Sequence, residues 1–223
     1  LIIIITNFNF SRLTAKVELL KNRINMTQIF GHFIEELPKQ EEYLTIGFSP
    51  SSLSLKKRWK NNGLSADFIA DYFKMFFISN QVDDEGMNNS ILIDNLWNMV
   101  KYIANELLEN AMKFQDQTIP ITAKMEFSLY SDELIFCITN GLLEEKVKEF
   151  HVFINKLLSE ETENLYFQMM RKNAKSDSNV SRLGLLSIMY DYSAKLGWKF
   201  EELQTTPPVM TVNTMVSIKL KPL

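Results

Sequence analysis

Leu44, Ile46 and Phe48 alternate with Tyr43, Thr45 and Gly47, a period of two that predicts a strand over 43–48. Ser49-Pro50-Ser51-Ser52 supplies turn and helix-start chemistry, and a short helix is predicted over 52–61, ended by Asn61-Asn62-Gly63. Ser65 caps a second helix, in which Phe68, Ile69, Tyr72, Phe73 and Phe76 recur at helical spacing. After a polar loop from Asn80 to Ser90, the longest helical pattern runs from Ile91 to about Phe114. Two alternating segments follow. One carries Ile121, Ala123, Met125, Phe127 and Leu129 on one face, the other Leu134, Phe136 and Ile138, and Ser131-Asp132 makes a tight hairpin between them. Leu143, Val147, Phe150, Ile154 and Leu157 predict a helix, with another from about Glu161 to Asn173. Lys175 to Asn179 is a polar loop, and Leu183 to Leu196 reads as helix, stopped by Gly197. Trp198–Leu203 is a short strand, and Met210, Val212, Thr214, Val216, Ile218 and Leu220 alternate through the last one. Strands in hairpins and helices in groups predict an α+β two-layer α/β sandwich with a mostly antiparallel sheet.

The 223 residues fit one domain, read here as 26–223, because Met26 opens the segment that behaves as a domain. Residues 1–25, beginning Leu1-Ile2-Ile3-Ile4-Ile5, are expected to be an N-terminal extension, the alternative being a genuine first strand and helix. No function is assigned to them. No apolar run is long enough to span a bilayer. A net charge of −3 argues against a nucleic-acid binder that works through overall charge. One cysteine, Cys137, and two histidines, His32 and His151, exclude an internal disulfide and argue against a His/Cys metal cluster. The expected setting is reducing and cytoplasmic.

The segment that carries chemistry is Tyr102 to Phe114. Glu106, Asn110 and Lys113 stand at i, i+4 and i+7, so they form one stripe beside the apolar stripe of Ile103, Leu107, Ala111 and Phe114. That places the polar stripe at the rim of the buried face, looking into a cleft. An amide oxygen there can ligate a hard cation such as Mg2+, a carboxylate can act as a base, and an ammonium can neutralise phosphate. The same spacing also fits surface residues joined by weak pairs.

Glu-Leu-Leu-Glu-Asn-Ala-Met-Lys-Phe, 106–114, resembles the N-box of the GHKL ATPase superfamily, which groups gyrase, a heat-shock chaperone, histidine kinases and mismatch-repair proteins. The resemblance implies the GHKL (Bergerat) sandwich and binding of ATP and Mg2+. It makes Glu106 a catalytic base, Asn110 the magnesium ligand, and Lys113 a residue that approaches phosphate. Arg182-Leu183-Gly184-Leu185-Leu186-Ser187-Ile188 is similar to the second glycine box of anti-sigma-factor kinases, which brings Arg182, Gly184 and Leu185 to the nucleotide. Within the superfamily the chain resembles SiaB-like kinases, small bacterial relatives of the anti-sigma kinases, and Thr45–Ser52 and Ser181–Tyr192 look like cyanobacterial members. The resemblance implies a Ser/Thr protein kinase of a partner-switching module, acting on a small regulatory antagonist protein.

Two departures accompany the match. The first glycine box should read Asp-x-Gly-x-Gly, where the Asp accepts the adenine amino group. Here the strand ends Thr139-Asn140-Gly141, with Thr139 in the Asp place and no second glycine; in the resemblance Thr139 or Asn140 still accepts one hydrogen bond from the nucleotide beside Gly141, without the charge assistance of a carboxylate. Arg182 stands where the second box has its first glycine, and its guanidinium offers phosphate pairing in place of a bare backbone. This erosion keeps a rival reading open, a degenerate member of the fold that binds a regulatory partner without catalysis. Lys56-Lys57-Arg58-Trp59 reads as a solvated face rather than a phosphate patch, and Cys137 as a small core residue. The Phe73–Phe77 cluster is core filler or part of a homodimer face. Finally, Glu163–Gln168 spells the recognition sequence of a potyviral protease, as a native coincidence or a tag-removal scar. It falls in the expected nucleotide lid, about 140–182, so cleavage of the folded chain after Gln168, slowed by magnesium–ATP, is expected.

Overall fold

The computed structural model describes residues 27–38, 42–48, 55–79, 88–115, 121–142, 144–173, 183–203 and 209–220. The expected extension over 1–25, the loop at 175–179 and Arg182 lie outside them, as do the side chains of 56–59. Six strands and five helices are described: β1 Gln28–Gly31, β2 Glu42–Phe48, α1 Leu55–Ser79, α2 Asn88–Phe114, β3 Ala123–Leu129, β4 Glu133–Leu142, α3 Glu144–Ser159, α4 Thr162–Asn173, α5 Leu183–Tyr192, β5 Lys195–Leu203 and β6 Val209–Lys219. The strands form one sheet in the order β1-β5-β6-β4-β3-β2, and each neighbouring pair is antiparallel. The molecule is an α+β two-layer sandwich, as the pattern predicts.

Pleat alternation explains the layers. Phe127 of β3, Phe136 of β4, Val216 of β6 and Trp198 and Phe200 of β5 are fully buried and point toward the helices. They meet Ile69 and Phe73 of α1, Ile103 and Leu107 of α2, Ile154 of α3, Leu165 of α4 and Leu186 of α5 in one core cluster. Phe73 stands edge-on to Phe127 at 5.9 Å, locking α1 onto the sheet through α-to-β aromatic packing. Tyr130 N–H donates to the carbonyl of Glu133 at 2.9 Å, closing the predicted hairpin around Ser131-Asp132.

Two predictions are corrected, and one strand is added. The two helices expected over 52–61 and from Ser65 are one continuous helix, because Asn61-Asn62-Gly63 does not break α1, whose sheet-facing Ala66, Ile69, Ala70 and Phe73 are buried. The helix expected to run to Leu196 stops at Tyr192, where Ser193 takes a left-handed φ of 53° and the chain enters β5 with Gly197 inside the strand. A short strand that the pattern does not predict, β1, pairs with β5 through Gln28↔Phe200 to Gly31↔Gly197.

Beyond β1, residues 32–38 cross the face of the sheet away from the helices. His32 N–H donates to the carbonyl of Leu196 at 2.7 Å, Ile34 N–H approaches Sδ of Met215 at 3.4 Å, and the Tyr130 hydroxyl donates to the carbonyl of Pro38 at 3.3 Å. We refer to this crossing as the strap.

Candidate functional site

α2 builds the site because its buried Ala104, Leu107, Leu108 and Ala111 fix its rotation against the sheet, which leaves Glu106 and Asn110 half-buried at the seam. Asn110 turns into a hollow of about 50 Å³ between α2, β4, β6, α3 and α5. Its wall is mainly apolar, with Leu107, Phe114, Ile138, Leu142, Phe150 and Leu185 among the lining residues. Asn110, Asn140 and Thr214 supply polar groups, and Lys146 and Glu149 of α3, an ion pair at 3.4 Å, also line it.

Asn140 carries the geometry that the glycine spacing does not reveal. Leu134, Phe136, Ile138, Asn140 and Leu142 alternate along β4 toward the helices, so Asn140 enters the hollow and is 4% exposed. Its amide nitrogen makes one long bond, 3.4 Å, to the carbonyl of Gly141. Thr139, the residue counted into the Asp place, lies on the opposite face, in a polar hollow beneath the strap with Lys124, Cys137, Lys199 and Asn213. The strand pleat separates the two, and Thr139 is not brought to the site. Gly141 is buried within the ladder, paired with Thr211, and forms no loop.

Glu106 points along α2 to the first turn of α5. A Cβ added to Gly184 would fall inside the Glu106 carboxylate, so the two are in direct apposition. Burial, then the neighbouring Glu109 carboxylate, raises the pKa of Glu106 above its ordinary value, while Lys113 pulls it the other way. One turn earlier on α2, Tyr102 shares a side-chain hydrogen bond with Ser187 of α5. Lys113 is exposed at the rim, its Nζ 5.8 Å from the Phe114 ring centroid. Thus Asn110, Asn140 and Leu185 share the hollow, while Glu106, one helical turn before Asn110, and Gly184, next to Leu185, meet each other outside its lining; Lys113 also stands outside it. The potyviral-site segment lies in α4, where Leu165 is fully buried and Tyr166 stacks on Tyr190 of α5 at 4.8 Å.

The sequence pattern misses Thr214, Lys146 and Glu149, and it offers Asn140 only as the alternative to Thr139. The available signal was the interrupted alternation. In β4 the inward row is apolar except for Asn140, and in β6 the inward Val212, Thr214, Val216 and Ile218 are apolar except for Thr214. Asn140 and Thr214 sit on adjacent strands, opposite Val212 and Ile138 respectively.

Asn110, Asn140 and Thr214 are the side chains in the hollow that could face a nucleotide and its magnesium ion. A buried amide can pair with the donor and acceptor of an adenine edge, as Asn does in reading adenine elsewhere. Among the described residues there is no group of three or more His, Cys, Asp or Glu suited to hold a metal, so a cation would be shared between Asn110, phosphate and water, which is how Mg2+ is commonly held.

No family model matches the chain, and no curated protein matches it. Among solved structures, the chain is similar to one described as the crystal structure of the SiaB–SiaC complex from Pseudomonas aeruginosa, with 12% identity and a TM-score of 0.48, covering 93% of this chain and 98% of that one.

Proposed function

We propose that this chain is an ATP-binding regulatory protein that phosphorylates a hydroxyl on a small antagonist protein, in the manner of a GHKL-type Ser/Thr kinase. The observation that carries the reading is the convergence of Asn110 and Asn140 on one apolar hollow, with a half-buried carboxylate, Glu106, one helical turn before Asn110. In this reading Asn140, rather than Thr139, pairs with adenine, while Leu107, Phe114, Ile138 and Leu185 pack its faces. Asn110 would hold magnesium through its amide oxygen. Lys113 at the rim and Arg182, which precedes α5, neutralise phosphate. Bound ATP would pass its γ-phosphoryl group to the antagonist's hydroxyl and leave as ADP. Glu106 takes the proton from the acceptor hydroxyl, and a raised pKa brings it closer to the working pH of a general base.

A second reading has its own observation. Ligand sites enclose roughly 300–1,000 Å³, whereas this hollow holds about 50 Å³, with Phe114 and Phe150 stacked at 6.3 Å beside it. In that state the domain is a partner-binding regulator without catalysis. For the first reading, α3 must swing outward to admit the base, a lid motion of a familiar kind.

Isothermal calorimetry with magnesium–ATP decides between them. The expected result is magnesium-dependent binding that Asn110→Ala abolishes while the far-UV dichroism and melting temperature barely change. Absence of binding in the wild-type chain at millimolar ATP overturns the kinase reading in favour of the non-catalytic one.

A further inference from the structure

Gly184 and Glu106 meet in a way that a phosphate-cradling glycine does not require. The three atoms nearest to a Cβ built on Gly184 are Oε2, Cδ and Cγ of Glu106. The space that any other residue would fill is therefore taken by a carboxylate from another helix. The seam has two rungs. Tyr102 and Glu106 are one turn apart on α2, Gly184 and Ser187 are one turn apart on α5, and they meet as Glu106 with Gly184 and Tyr102 with Ser187. Tyr192 extends the seam at 5.9 Å from the Tyr102 ring.

We propose that Gly184 is a positioning residue: its missing side chain is the seat of the Glu106 carboxylate and ties that carboxylate to the start of α5. Calling the seated group a base rests on the function proposed above; the seat itself does not. The groups that bear on Glu106 are Glu109 and Lys113 on α2; α5 contributes one charged residue, Asp191, which acts on Tyr102.

The obstructing atoms are the end of a flexible side chain, so a methyl at 184 evicts the carboxylate rather than the helix. The test is a double-mutant cycle of Gly184→Ala, Glu106→Ala and the pair, followed by thermal unfolding. Gly184→Ala should be less favourable to the melting temperature in the chain that carries Glu106 than in the Glu106→Ala background, where no carboxylate stands in the way of the methyl. An equal effect in both backgrounds overturns the seat. If Gly184→Ala does not fold, refolding of the double variant supports the seat, and failure to refold overturns it. Carboxyl 13C NMR gives a readout that packing alone does not move. The Glu106 titration should shift to lower pH in Gly184→Ala as the group is returned to solvent, and an unchanged midpoint overturns the proposal. Phosphate transfer is assayed on the same proteins. A wild-type chain that transfers none sinks the kinase reading, while the cycle and the titration still judge the seat.

Discussion

Glu106 is held above its ordinary pKa of 4.5, first by burial and then by Glu109. The folded state therefore binds its proton more tightly than the unfolded chain does. Stability from this group is fully present below the ordinary carboxylate pKa and is lost as pH rises through the raised one. Glu106→Gln keeps the shape and removes the charge. Urea midpoints should consequently rise for Glu106→Gln at pH 7.5, and the gain should shrink as pH falls toward 4. A gain that is constant over this range would place the effect in packing rather than ionisation. Residues of this kind were legible in the sequence because a helical period of 3.6 needs no knowledge of the partner surface, and Glu106 and Asn110 emerge on the expected seam. Asn140 was legible only as the alternative to Thr139. Counting from Gly141 chose Thr139, but a strand turns successive side chains to opposite faces, and only the fixed register with β6 shows which face looks at α2.

At the scale of elements, α4 bears on the lid. The sequence Glu163–Gln168 was expected to be cut in the folded chain, because the family resemblance places it in a moving lid. In the structure it is inside a helix whose Leu165 is fully buried and whose Tyr166 and Phe167 both pack on Tyr190. A protease must hold its substrate extended, which here means unravelling α4 and exposing Leu165. The potyviral protease should leave the native chain whole and cut it only near its unfolding midpoint, as followed by gel. Rapid native cleavage would show that α4 opens locally at low cost. Helix periodicity supported this element, and the resemblance argued against its stability; the buried leucine decides it. The same contest appears in α1, where Asn61-Asn62-Gly63 signals a stop that the sheet-facing row of Ala66, Ile69, Ala70 and Phe73 overrides.

For the whole molecule, the question is what holds the face of the sheet that the helices do not cover. The strap answers it, and its placement depends on Gly197 in the middle of β5. A Cβ there would run into the backbone of His32 and Phe33, and that backbone is fastened on one side by the bond from His32 N–H to Leu196 and on the other by Ile34 over Met215. Nothing local in the sequence shows this: Gly197 reads as a helix stop, and its partner lies more than 160 positions away. The strap also covers Cys137, whose thiol burial pushes up to about 12, so it stays protonated near neutral pH. Gly197→Ala must lift fixed backbone and should cost about 1–3 kcal/mol or more, the range for overpacking. Gly63→Ala is the matched control. It lies inside α1 with nothing within 4 Å of a new Cβ, and it should stabilise by about 0.5–1 kcal/mol through helix propensity alone. Iodoacetamide labelling separates loss of the strap from general loss of stability. With Gly197→Ala, Cys137 should become alkylated under conditions where the chain remains folded by far-UV dichroism, and Gly63→Ala should leave the labelling rate at or below wild type. If both alanines merely shift the unfolding midpoint while Cys137 stays equally slow, the strap is not what closes that face, and the close approach at Gly197 is a local packing detail.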